Sequence, residues 1–376
     1  MHYFEFATKD TTLYEESQSL NSGLDEILEV RKDKNADGSV IYVSRALIKF
    51  DLTYISQSVV DGLISNPTYY LNLYDANSQA LNISQTLYAY PVSQSWDVGS
   101  GRQDSNPIIE DGASWRYRDN GTTETQWSSV YTGSGGTWYS GSDGQYSLEA
   151  SQSFTHEAAD VRMDVTGIVN NWIYSGSSYA NEGFMLKRSG SIGNSDSSLP
   201  EGDTTHYGRF VFFSRDTHTI YQPKLEVVWD DSTWATGSLS ALSSDNLEDM
   251  VLYMRGLRPE YKEKSKVKFR VIGRERYPEK SYSTSGYSTG YTTAKYLPSG
   301  STYYQIKDAY TEEIIVPFGS GSVVSCDSTG NYFNYWMDGL QSERFYRIEY
   351  KVVSGSGTAD ETVEFYDEKH TFKVVR

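Results

Sequence analysis

Asp33, Asn35 and Asp37 alternate in the segment DKNADGS, and Gly38 follows the last of them directly. Oxygen ligands at positions 1, 3 and 5 with glycine at position 6 are how a helix–loop–helix Ca²⁺ loop begins. Such a loop closes with a bidentate Glu at position 12. Here that position is Ser44, inside the strand-like phrase VIYVSRALIKFDL. Asp37-Gly38 between two alternating runs is also a hairpin signal, and a hairpin turn is the simpler account of the same residues. Ca²⁺ held on that turn is the one cofactor the sequence suggests.

The remaining chemistry-bearing patterns are thinner. GYSTG at 286–290 matches G-x-S-x-G, but a nucleophile elbow needs a strand before Ser288 and a helix after it. The surrounding text is Ser/Tyr/Gly/Thr-rich and reads as a surface loop. The histidines are His2, His156, His206, His218 and His370, with no H-x-x-x-H or H-E-x-x-H pairing for a zinc protease. His206 and His218 are spaced to meet across strands or to lie separately in exposed loops. No two of the fifty acids are marked as a glycosidase pair. Cys326 is the single cysteine, so neither an intrachain disulfide nor a cysteine metal site can form. The sequence therefore reads as a non-enzyme.

Aromatic residues are a different kind of candidate. Trp96, Trp115, Trp127 and Trp138 fall in a long polar stretch at 93–146. Aromatic faces suit the C–H faces of sugars, which makes Trp115, Trp127 and Trp138 candidates for glycan stacking. The alternative is that they pin long loops onto a sandwich, because Trp is highly buried on average. In KEKSKVKFRVIGR, Lys264, Lys266, Lys268 and Arg270 alternate with Val267, Phe269 and Val271. That strand either meets an acidic partner surface or is an edge guarded by lysines.

The elements that would position these residues are mostly strands. The chain has 376 residues, 14% aromatic, with 32 Tyr and 31 Gly. This mixture favours strands joined by tight turns. Alternating runs at HYFEFATKDTTLYE, DEILEVRK, TYYLNLYDA, RFVFFSRDT and KLEVVWDD set out a first block. A polar stretch at 230–246 separates it from a second block of about seven strand-like runs, the spacing of an immunoglobulin-like sandwich. The expected architecture is all-β: a jelly-roll-like sandwich over 1–232, then an immunoglobulin-like sandwich over 233–376. One helix interrupts the pattern. In DVTGIVNNWI, Val165, Ile168, Val169 and Trp172 recur on one helical face and are expected to be core. Thr166 and Asp164 compete for its N-cap.

The net charge of −17 opposes nucleic acid and anionic membrane surfaces as partners. The N-terminal segment has no basic and apolar regions of a secretory signal, so synthesis in a cytoplasm is expected.

In the first block, SRALIKFDL, YYLNLYDA, ASWRY, DVTGIVNNWI, NEGFML and FFSRDTHTIYQPKLEVVW follow in order. This resembles the DNRLRE-type β-sandwich, a jelly roll similar to carbohydrate-binding modules, with Asp216 where that family often has Glu. The whole chain, through KDTTLYE, LDEILEVRKD, YAYPVSQSW, VLYMRGLRPEYKE and the ending HTFKVVR, resembles virion structural proteins of contractile-tailed phages of marine cyanobacteria. The resemblance implies a virion location, other virion proteins as partners and repeated copies in a symmetric assembly. Host-surface glycan is the alternative partner that the sandwich resemblance implies.

Overall fold

Strands form where the sequence alternates. The first block gives β1 (His2–Tyr14), β2 (Ile27–Lys34), β3 (Ile41–Phe50), β4 (Thr68–Leu73), β5 (Gln85–Pro91), β6 (Tyr117–Asp119), β7 (Thr125–Gln126), β8 (Ala150–Phe154), β9 (Val161–Asp164), β10 (Phe184–Lys187), β11 (Gly208–Phe213) and β12 (Lys224–Val228). Two helices, α1 (Thr53–Val60) and α2 (Thr166–Tyr174), interrupt them. The computed structural model describes every residue except 35–37, 39–40, 80, 82–83, 122, 129–134, 156–158, 177, 189–200, 202–204, 243–246, 278–293, 356, 358 and 360. The chain is all-β, of the β-sandwich class, and divides into two units. One is Phe4–Leu63 with Thr68–Val227; the other is Val228–Arg376 with Met1–Tyr3 and Ile64–Pro67.

In the N-terminal unit the strand order is β8-β5-β10-β3-β1-β12-β4-β9, with β2 joining β3 to β11. β3 serves two neighbourhoods. Its start pairs with β2 (Lys34↔Ile41, Lys32↔Val43), and its remainder lies between β1 and β10. A bulge between Ala7 and Lys9 of β1 lies at the other end of β3, opposite Lys49 and Phe50. Bridges Asp75↔Phe212 and Gln79↔Arg209 tie the chain beyond β4 to β11, so the sheet comes close to closing on itself. Near-closure leaves few open edges.

Much of the polar stretch at 93–146 has no regular structure, and its part at 98–113 is clamped by one side chain. Asn21 is fully buried. Its Nδ2 donates to the carbonyls of Val98 (2.8 Å) and Ala113 (2.9 Å), and its Oδ1 accepts from the amides of Gly101 (2.8 Å) and Gly23 (3.2 Å). A Cβ on Gly99 or Gly112 would lie 2.4 Å and 2.6 Å from this amide group, so both must be glycine for the loops to close on it.

α2 forms where its periodicity predicts. Val165, Ile168, Val169 and Trp172 are all buried, and the Trp172 ring lies 4.8 Å from Phe184 of β10. Neither expected cap applies as drawn. Val165 occupies the N-cap position without a side-chain bond; the Asp164 carboxylate accepts from the Thr166 amide at 2.9 Å, while the Thr166 hydroxyl accepts from the Tyr69 amide at 2.9 Å. Thr166 thus fastens the helix to β4 instead of capping it. The helix is not alone either. In α1 only Ile55, Ser58 and Val59 are buried, too short a stripe to register as periodicity.

The C-terminal unit has β13 (Met250–Arg255), β14 (Glu260–Lys262), β15 (Lys266–Glu275), β16 (Thr302–Asp308), β17 (Ile314–Val316), β18 (Ser325–Asp327), β19 (Gly330–Trp336), β20 (Phe345–Ser354) and β21 (Thr362–Val375). They make a four-stranded sheet, β13-β15-β19-β18, and a five-stranded sheet, β14-β21-β20-β16-β17. β14 pairs with β21 in parallel, and the other ladders are antiparallel. This is the strand order of an immunoglobulin-like sandwich. A tyrosine corner accompanies it: Tyr346, at the start of β20, donates its hydroxyl to the Gln341 carbonyl at 2.9 Å. With Cys326 unpaired, aromatic rings join the sheets. Tyr304 stacks on Phe333 at 3.9 Å, and Phe333 meets Phe269 at 5.1 Å and Tyr350 at 6.4 Å.

Candidate functional site

β3 and β10 carry the most unusual residues of the N-terminal unit. Arg45 of β3 and Lys187 of β10 point into the core, and both converge on Glu201. Arg45 Nη2 lies 2.9 Å and Lys187 Nζ 3.2 Å from Glu201 Oε2, with all three side chains at 0% exposure. Arg45 also donates to the Gly135 carbonyl at 2.6 Å. Gly135 has φ +86°, and a Cβ there would meet Arg45 Nη1 at 2.7 Å. The cations rest on indole faces: Arg45 is 5.0 Å from the Trp115 and Trp138 rings, and Lys187 is 3.9 Å from Trp138. Arg188 continues the cluster, donating to the carbonyls of Val30 and Gly208 at 3.0 Å each over the Phe210 ring.

The electrostatics follow from burial. Loss of water, then repulsion by Arg45, pulls Lys187 down to about 7 against the pull of Glu201. Burial likewise lowers Arg188 to about 9. For Glu201, burial alone would favour the neutral acid; the charges of Arg45 and Lys187, with their hydrogen bonds, outweigh it and hold the carboxyl below its ordinary value. A lysine near neutrality suits proton transfer or nucleophilic attack. This one is sealed between a carboxylate and an indole with no exposed surface, so it joins strands rather than meeting a substrate.

The tryptophans proposed for sugar stacking belong to the same core. Trp115, Trp127 and Trp138 are 1%, 5% and 2% exposed and pack with Leu13, Leu47, Tyr90 and Met185. A ring enclosed in this way offers no face to a glycan, so stacking by these three is corrected to loop-pinning. Trp127 donates to the Ser114 carbonyl (2.9 Å) and Trp96 to that of Glu182 (2.8 Å), each fixing a loop.

Of the Ca²⁺ candidates, Asn35 and Asp37 lie outside the described residues. Asp33, at the end of β2, pairs with His206 Nε2 at 3.1 Å. No group of three His, Cys, Asp or Glu able to hold a metal occurs among the described residues. His206 and His218 take separate carboxylates, His218 lying 3.5 Å from Glu26. His156 and Ser288 lie outside the described residues.

The basic strand is β15, which runs between β13 and β19 and is not an edge. Its cations are partly answered within the unit. Asp327 of β18 binds Arg270 at 2.6 Å and Lys268 at 2.9 Å, and the bond from Arg270 above all holds its carboxyl well below the usual range. Lys268 and Lys266 sit over Tyr332 (3.6 Å) and Trp336 (5.1 Å) of β19.

Compared with known proteins, the chain matches no family model. No curated protein matches it.

The surface that stands out is the outer face of the five-stranded sheet. Its register puts Tyr303, Lys351 and Phe365 in one cross-strand row, with Ile314 beside Lys307 and Val363 beside Val353. Phe365 is 60% and Ile314 54% exposed, while Tyr310, in the turn after β16, is 77% exposed. No helix of the described residues is long and apolar enough to cross a membrane.

Proposed function

We propose that the chain is a non-enzymatic bacteriophage virion protein that docks to other virion subunits through its β-domain surfaces. One observation carries the docking part: Ile314 of β17 and Val363 and Phe365 of β21 stand exposed on one sheet face, although the other face of the same sheet buries Tyr304, Ile306, Tyr350 and Val352 of β16 and β20. Large apolar side chains exposed on a polar, charged face suit a surface covered by a neighbour. The buried ion cluster and pinned loops of the N-terminal unit add the rigidity that a building block needs, and the sequence resemblance supplies the virion setting.

Mass spectrometry of purified particles tests the role: the protein is expected there at a reproducible copy number, and its absence from intact particles removes the proposal. A Phe365→Asp, Ile314→Asp variant that keeps its circular dichroism should fail to enter particles. Normal incorporation would move the docking surface elsewhere.

A further inference from the structure

Two grooves of opposite charge mark the C-terminal unit. The first, of about 420 Å³, lies between β13 and β21. Glu248, Glu364, Asp367 and Glu368 line it against a single Arg276. Arg347 already answers Asp367 at 3.6 Å, so three carboxylates and one guanidinium leave two negative charges. Met250 and Leu252 give it an apolar wall, and exposed Phe365 stands at its rim. The second, of about 570 Å³, lies where β14 meets the start of β15. Arg258, Lys262, Lys266 and Lys268 line it against a single Glu260, with Tyr261 and Val267 between them; Asp327 already answers Lys268, which leaves two positive charges. Among the described residues, no carboxylate stands within ion-pair distance of Arg258, Lys262 or Lys266, and no cation within that distance of Glu248, Glu364 or Glu368.

The two grooves cannot neutralise each other within one chain. The acidic groove is built on residues 364–368 of β21, whereas β14, which lines the basic one, pairs with Lys373–Val375 at the far end of the same strand. Equal and opposite charge, in grooves of similar size at opposite ends of one strand, fits a second copy. We infer that the acidic groove of one copy receives the basic side chains of edge strand β14 and the start of β15 of another, with Phe365 as the apolar anchor of the contact. This rests on the docking reading of the unit above and names its partner. The whole chain carries −17, so two copies repel at long range. Association is therefore expected at intermediate salt, where a Debye length of about 10 Å screens the distant charges but not the contact. It should vanish near 1 M, where the length is about 3 Å.

Sedimentation velocity of the full chain tests this. At about 0.1 M salt the wild type should associate with rising concentration, and at about 1 M it should be monomeric. A Lys262→Glu, Lys266→Glu variant and a Glu248→Lys, Glu364→Lys variant should each associate about tenfold more weakly or not at all, because attraction becomes repulsion across the contact. An equimolar mixture of the two should associate again, since each then presents the groove that the other lost. A monomeric wild type under all these conditions, undiminished association of either variant, or a mixture no stronger than its components overturns the inference. If that occurs while the protein is still found in particles, only the copy–copy contact falls. If the protein associates with itself but is absent from particles, only the virion role falls.

Discussion

Replacing Glu201 by Gln keeps the shape and one acceptor oxygen but removes the negative charge between Arg45 and Lys187. At the observed 2.9 and 3.2 Å, each attraction is worth about 5 kcal/mol gross at an effective dielectric of about 20. Repulsion between the two cations, and the desolvation that Gln does not incur, take back much of that sum. The loss on breaking such a buried pair is then about 3–5 kcal/mol. Its pH dependence is distinctive. The folded-state value of Glu201 lies below its ordinary 4.5, so the wild type's advantage is present above about pH 4.5 and is lost as the pH falls through that folded value. Lys187 titrates near 7 when folded against 10.5 unfolded, so wild-type stability rises as pH climbs between these values. Above about 7 Lys187 is neutral in both proteins, and the variant's deficit shrinks to the Arg45 share. Urea titration followed by tryptophan fluorescence suits the test, because five of the eight Trp residues lie in this unit. A deficit below about 1 kcal/mol at pH 6, or one that does not change from pH 6 to 9, would refute the reasoning.

Three further outcomes are expected. Trp172→Ala should cost about 3–5 kcal/mol in the same assay, as for other buried large-to-small changes; a loss under about 1 kcal/mol would mean the helix does not close core. Burial raises Asp10 to about 7 despite the bond from the Arg215 amide at 2.7 Å. The folded chain thus holds a proton that the unfolded chain has lost, and wild-type stability should fall as pH rises from about 4 to 7. Asp10→Asn should flatten that part of the curve, and an unchanged slope would exclude Asp10 as its source. Tyr346→Phe should lower the stability of the C-terminal unit by about 1 kcal/mol or slightly more through its lost corner bond, read by calorimetry; an unchanged stability would mean that the bond contributes nothing.

How far the sequence carries can be seen element by element. Strands with one buried face are legible: β20 alternates from Tyr346 to Val352, and its burial follows the same rhythm. β19, GNYFNYW, carries little signal, because its outward residues are Asn, Tyr and Trp, so polarity does not alternate although burial does. The Glu201 cluster left almost no trace. Arg45 and Glu201 are 156 positions apart, and only the fold makes them neighbours. The available hint was a charge inside the apolar run SRALIKF. The tryptophans stand out in the sequence but their exposure does not, because a polar stretch hides a ring as well as it displays one.

The Asn21 hub bears on how this sequence can change over time. Because one amide clamps the chain at Gly23, Val98, Gly101 and Ala113, the connecting arcs have fixed footings. An arc anchored at both feet can lengthen or change composition at its crown at little cost in closure entropy. The arc at 102–110 is therefore a natural place for descendants to vary their outer surface, while Asn21, Gly99 and Gly112 would have to be inherited together.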